Sequence, residues 1–172
     1  MELTATDFEL FGLPPRHALD RARLDAQWRT LQSEVHPDRF AGEGAAAQRV
    51  AMQWAVRVNE AYRRLQDPIK RAAYLCEING VALDAENNAA MPADFLMQQM
   101  AWREALDEAA DARAVESLTD EVAAARRARM ADLARALDDD ADYARAAQQV
   151  RALMFVERFE HDLERRMEAL EE

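Results

Sequence analysis

The chain has 172 residues, 50% of them apolar and 32% charged, a balance that excludes a disordered polymer and fits one large or two small water-soluble domains. Thirty-seven alanines against four glycines, five prolines and a single lysine favour helix and argue against a β-rich or doubly wound α/β fold. The net charge of −11 is uneven: residues 1–76 carry 11 basic and 10 acidic side chains, residues 77–172 carry 11 and 23, so the acidic second half repels phosphate backbones and the step at mid-chain suggests two domains.

In chain order, Asp7 to Pro14 reads as one helical turn stopped by Gly12 and Pro14. Asp20 is a candidate N-cap. Leu24, Trp28, Leu31 and Val35 then form the stripe of an amphipathic helix over 20–35. His36 precedes Pro37 and is driven out of the α region, which ends that helix. A loop with two glycines runs from Pro37 to Gly44. A second helix over 45–65 follows, with Val50, Trp54, Val58, Ala61 and Leu65 on one face, and the two stripes suit an antiparallel hairpin. Asp67 and Pro68 end it and start a short helix, Asp67 as N-cap and Pro68 at the first helical position, running to about Ile78.

Residues 79–92 have no sustained period and read as a linker. Three helical segments near 93–110, 112–137 and 141–170 follow, with the clearest break at Asp138, Asp139 and Asp140; three such helices make a bundle. With Phe95 set at zero and about 100° per residue, Trp102 and Leu106 fall within about 20° of it and form a core stripe. Leu96, Met97, Met100 and Glu104 fall at about 100°, 200°, 140° and 180°, a second and mostly apolar face. A helix in a small bundle buries one stripe, so a second is either covered by a partner or simply exposed; the geometry alone leaves both open. In the last helix Leu153, Val156, Leu163, Met167 and Leu170 share a face, and Phe155 projects about 100° from its centre, a candidate interface anchor.

Much chemistry is missing. The sequence has no Gly-rich phosphate loop, no His-Glu-x-x-His and no Cys-x-x-Cys, and its histidines, His17, His36 and His161, show no metal-ligand spacing. No enzyme, metal or cofactor is expected. Cys76, the single cysteine, sits among apolar neighbours as a buried, inert thiol and suits a reducing cytoplasm. No apolar run approaches the roughly 18 residues a membrane span needs, and no secretory leader is expected.

His36, Pro37 and Asp38 lie between the two hairpin helices. Alone they read as a polar turn. In context, the first 76 residues resemble the J domain, the module that activates DnaK-type chaperone ATPases: a His-Pro-Asp loop between long antiparallel helices, an opening Phe8-Glu9-Leu10-Phe11-Gly12-Leu13, and Asn59-Glu60-Ala61-Tyr62-Arg63-Arg64-Leu65-Gln66-Asp67-Pro68 continuing to Tyr74. The resemblance implies that His36, Pro37 and Asp38 dock on the chaperone, with Arg29 and Arg39 as accompanying contacts. Arg29 matches a usual basic position of the family, whereas Glu34 stands where Lys or Arg is common, which points to a dedicated chaperone.

The second half lacks the Gly-rich and Cys-rich modules of a generic J protein. With its bundle and the run Met91-Pro92-Ala93-Asp94-Phe95-Leu96-Met97-Gln98-Gln99-Met100-Ala101-Trp102-Arg103-Glu104-Ala105-Leu106-Asp107-Glu108, the chain is similar to the HscB-type co-chaperones of iron–sulfur cluster assembly. That resemblance implies an all-α protein: a J domain over 1–78, a linker over 79–92, and a three-helix bundle over 93–172. It implies two partners and no nucleic acid or membrane: a DnaK-type chaperone of the HscA kind on the J domain, and an iron–sulfur scaffold protein of the IscU kind on Leu96, Met97, Met100, Glu104 and Phe155. Ala101 stands where relatives carry an acid and Met154 where a base occurs, so the patch is more apolar and less charge-dependent. The alternative is a J-domain co-chaperone of a general DnaK-type chaperone with another client. A dyad enzyme built on His36 and Asp38 lacks a nucleophile and an oxyanion arrangement.

Overall fold

Aspartates start most of the helices. The Asp20 carboxylate accepts from the Arg23 amide, Asp67 from those of Ile69 and Lys70, Asp111 from Ala114 and Asp142 from Arg145, at 2.9–3.2 Å, each satisfying N–H groups that the first helical turn leaves unpaired. The computed structural model describes residues 2–83 and 91–172, and every regular element among them is helical. These are α1 (Asp7–Leu10), α2 (Arg21–Val35), a 3-10 turn (Pro37–Phe40), α3 (Ala45–Gln66), α4 (Pro68–Ile78), α5 (Ala93–Glu108), α6 (Ala112–Ala134) running into a π turn (Arg135–Asp139), and α7 (Tyr143–Glu171). The chain divides into two compact units, Met1–Leu75 and Cys76–Glu172. The expected linker falls partly on residues 84–90, outside the described residues.

In the first unit α2 and α3 run antiparallel. Arg21 reaches Gln66, Asp25 accepts from the Tyr62 hydroxyl at 2.7 Å, and Trp28 Nε1 donates to Asn59 at 3.1 Å, so rising numbers on one helix meet falling numbers on the other. Leu24, Leu31 and Val35 from α2 meet Val58, Ala61 and Leu65 from α3 in the core. The expected stripe needs one correction: Val50 is 51% exposed and Ala51 is buried in its place, and Trp54 is half-buried. The N-terminal half of α3 turns its apolar side to a groove with Val35 and Phe40 rather than into the core. Hydrogen bonds from Tyr62 and then Arg21 hold the Asp25 carboxyl below the usual carboxylate range.

The start of α1 is locked by charge. Asp7, fully buried, lies 2.7 Å from Arg57 Nη1 and 3.3 Å from Arg64 Nε. Its own amide donates to the Tyr74 hydroxyl at 2.9 Å, and the Arg64 guanidinium lies over the Tyr74 ring at 4.6 Å.

In the second unit the core is an aromatic circuit. Phe95 meets Trp102 edge-on at 6.5 Å, Trp102 stacks on Phe159 at 5.7 Å, Phe159 on Phe155 at 6.2 Å, and Phe155 meets Phe95 edge-on at 5.7 Å. Arg129 from α6 lies over Phe95 at 4.2 Å and Arg103 over Phe159 at 5.2 Å. Val115, Leu118, Val122, Val156 and Leu163 complete the cluster. Of the expected α7 face, Leu153, Val156 and Leu163 are buried, Met167 is half-buried, and Leu170 lies at the exposed margin, because the helix outruns its neighbours. Cys76 is buried, and burial pushes its thiol up to about 11.

Asp7→Ala leaves two guanidinium groups without their buried partner and costs about 3 kcal/mol, seen as faster urea-dependent hydrogen exchange of α2 and α3 amides with α5–α7 unchanged. Cys76 resists iodoacetamide at mildly alkaline pH in the folded protein and alkylates fully once denatured, scored by intact mass; ready alkylation of the folded chain contradicts both its burial and its raised thiol.

Candidate partner-binding sites

The His-Pro-Asp turn is held from within. His36 adopts an extended conformation at φ −60°, ψ 128°, as a residue before proline must. Its Nδ1 accepts from the Asp38 amide at 3.2 Å, its carbonyl accepts from the Arg39 amide at 3.0 Å, and the Ala41 amide donates to the Asp38 carbonyl. Nδ1 therefore acts as a side-chain cap of the 3-10 turn, and Nε2 is left to carry the hydrogen in the neutral ring. The Asp38 side chain is 93% exposed and one of its oxygens lies 3.6 Å from His36 Nδ1. The turn thus presents an imidazole and a carboxylate on a short, closed piece of backbone.

Arg29, Gln32, Ser33, Val35, His36, Pro37, Arg39, Ala55 and Asn59 line an open groove of about 940 Å³ beside this turn. All of the residues expected to contact the chaperone, apart from Asp38, meet there. Arg39 donates to the Ser33 carbonyl at 3.4 Å. The α2 arginines divide by role. Arg21 is held by Asp25, Tyr62 and Gln66, and Arg23 donates to the Gly12 carbonyl. Arg29 acts on Asp25 only through its charge and lines the groove. Sequence reasoning missed Asn59, whose Oδ1 accepts from both Trp28 Nε1 and Gln32 Nε2 and sets the groove floor. The available signal was a polar residue next to the apolar stripe at Val58, one helical turn before Tyr62, whose ring stacks on Trp28 at 4.2 Å.

On α5 the two faces separate as the helical angles require. Phe95, Trp102 and Leu106 are buried; Leu96 is 44%, Met97 72% and Met100 73% exposed, and Glu104 is exposed. Met100, Glu104 and Phe155 line one open groove of about 600 Å³ with Gln99, Arg103, Asp107 and Glu108. Leu96 and Met97 stand outside that groove, one turn earlier on the helix. Phe155 has a double role: part of its ring closes the aromatic circuit and part forms the groove wall. Arg103, which the sequence did not single out, is fixed against the groove by an ion pair to Asp162 at 3.1 Å and by the Phe159 ring. No group of three His, Cys, Asp or Glu side chains is gathered as metal ligands among the described residues, and none of their helices is long and apolar enough to cross a membrane.

Residues 91–164 match the family model described as the HSCB C-terminal oligomerisation domain. A curated relative from Burkholderia thailandensis, named Co-chaperone protein HscB homolog, is 52% identical over 99% of this chain and 99% of its own. A solved structure of the chaperone HscB from Vibrio cholerae is 35% identical, covers 96% of this chain and 99% of its own, and superposes with a TM-score of 0.83. The crystal structure of the human co-chaperone protein HscB, 23% identical, shares the fold at a TM-score of 0.88 over 95% of this chain and 83% of its own.

Proposed function

The chain belongs to the HscB family of co-chaperones, and we propose that it carries an iron–sulfur scaffold protein of the IscU type to a DnaK-type chaperone of the HscA type and stimulates that chaperone's ATPase during cluster transfer. Residues 1–78 act as the J domain and residues 93–172 as the scaffold-binding bundle, in the cytoplasm. The chain itself catalyses nothing: nucleotide and hydrolysis belong to the chaperone, and the J domain favours its hydrolysis-competent state by binding that state preferentially.

The observation that carries this reading is the exposure of Leu96, Met97 and Met100 on a helix whose opposite face is fully buried. Large apolar side chains massed on one exposed helix face mark a surface that a partner covers, and methionines adapt to the shape of what covers them. The groove beside it supplies an aromatic wall from Phe155 and a carboxylate from Glu104. At the other site, docking the His36–Asp38 turn orders little backbone, because hydrogen bonds already close it. Arg29 and Arg39 add positive charge beside it. Holding two partners on one chain turns their encounter into an intramolecular event, with effective concentrations up to the millimolar range.

One steady-state ATPase assay, with chaperone and scaffold protein added separately and together, tests the reading. His36→Gln abolishes stimulation while circular dichroism and scaffold binding stay as in the wild type. Combined Leu96→Ala, Met97→Ala and Met100→Ala, all exposed positions, raises the scaffold Kd by roughly a hundredfold or more, as loss of several interface anchors should, and leaves stimulation by the free co-chaperone intact. Scaffold binding that survives the triple substitution shows that the client is held elsewhere.

A further inference from the structure

Met97 and Met100 are 72% and 73% exposed, and Met52 on α3 is 56% exposed. Met91, Met130, Met154 and Met167 are all half-buried. Among the described residues, the two most exposed methionines therefore sit three residues apart on the apolar side of α5, within reach of a small oxidant without any opening of the fold. The single cysteine offers no competing route: Cys76 is buried, and burial keeps its thiol protonated at neutral pH.

We propose that Met97 and Met100 form an oxidation site, and that their conversion to sulfoxides releases the protein held on this face; the release step rests on the scaffold-binding reading above. The thioether sulfur attacks one oxygen of hydrogen peroxide. An S–O bond forms, the O–O bond breaks and water leaves, so each methionine is oxidised by two electrons and the peroxide reduced by two. The product side chain keeps its length but carries a strong hydrogen-bond acceptor and donates nothing.

The surroundings make that acceptor hard to satisfy under a partner. The groove at Met100 is walled by Glu104, Asp107 and Glu108, whose carboxylates accept hydrogen bonds and donate none. Of its side-chain donors, Arg103 already gives an N–H to Asp162 and Gln99 one to the Met91 sulfur. A covered sulfoxide must shed its water and compete with those contacts for a donor, and that cost opposes binding. Methionine sulfoxide reductases regenerate the thioether, which makes the change reversible.

The test treats the full-length folded protein with hydrogen peroxide, follows the gain of about 16 Da per sulfoxide by peptide mass mapping, and measures binding of an IscU-type scaffold protein by calorimetry before and after. Met97 and Met100 are expected to oxidise ahead of Met130, Met154 and Met167, with unchanged helical circular dichroism. Scaffold Kd rises roughly tenfold or more and recovers after reductase treatment. Met97→Leu combined with Met100→Leu, whatever its own starting affinity, no longer changes affinity on treatment, whereas Met52→Leu leaves the peroxide response in place. Equal or slower oxidation of Met97 and Met100 than of the half-buried methionines overturns the modification site. Preferential oxidation without a change in Kd overturns the release step. If the untreated protein does not bind the scaffold at all, the scaffold reading and the release step both fall, and the order of oxidation alone still decides the modification site.

Discussion

The four-ring circuit of Phe95, Trp102, Phe159 and Phe155 is the constraint on which the C-terminal site depends. A helix with apolar residues on two sides has two ways to bury one of them. If α5 rolled by about 120°, Leu96 and Met100 would enter the core and Phe95 and Trp102 would face water. Two large rings bury more apolar area than a leucine and a methionine, and their edge-to-face geometry adds specific attraction. The cations over Phe95 and Phe159 fix the circuit from α6 and α5. The exposed apolar face is thus a consequence of a stronger claim on the interior, which lets a sticky surface exist on a stably folded helix.

The first unit solves a related problem with polar contacts. Its His-Pro-Asp turn stands at the surface, and apolar burial stops at Val35, the residue before it. Beyond that point rigidity comes from proline, from the His36 cap on the Asp38 amide, and from the 3-10 turn. Behind the turn, Trp28, Tyr62 and Asn59 join α2 to α3 by a stack and two hydrogen bonds. These contacts absorb Arg21 within the hairpin and leave Arg29 facing the groove. A tally of basic residues along α2 cannot make that distinction, since it depends on which guanidinium finds a partner across the hairpin.

Helix positions and the two faces of α5 were legible in the sequence because both follow from period and capping. Asp20 and Asp67 stand where helices start, and a spacing of seven and then four residues puts Phe95, Trp102 and Leu106 on one side. The misplacement of Val50 has the same origin. Period identifies a stripe but not where the neighbouring helix ends, and α2 stops at Val35 while α3 begins beside the loop and outruns it. Asn59, Arg103 and the double role of Phe155 were not legible, because each is defined by a partner more than twenty residues away in the chain. The His-Pro-Asp turn was legible only as a pattern; its internal hydrogen bonds needed coordinates.

The distribution of charge gives the two sites different physics. At the loop groove stand Arg29, Arg39 and His36, with the exposed carboxylates of Asp38 and Glu34 close by in the chain. Contacts made through such charges reach about a Debye length and weaken as salt rises. On α5 the exposed leucine and methionines carry no charge, and the nearby carboxylates form only a rim. Affinity there scales with apolar contact made at short range, while the acidic rim and the strongly negative second half of the chain select against acidic competitors. The chain thereby carries a charged surface whose contacts are salt-sensitive and an apolar one whose contacts are salt-tolerant.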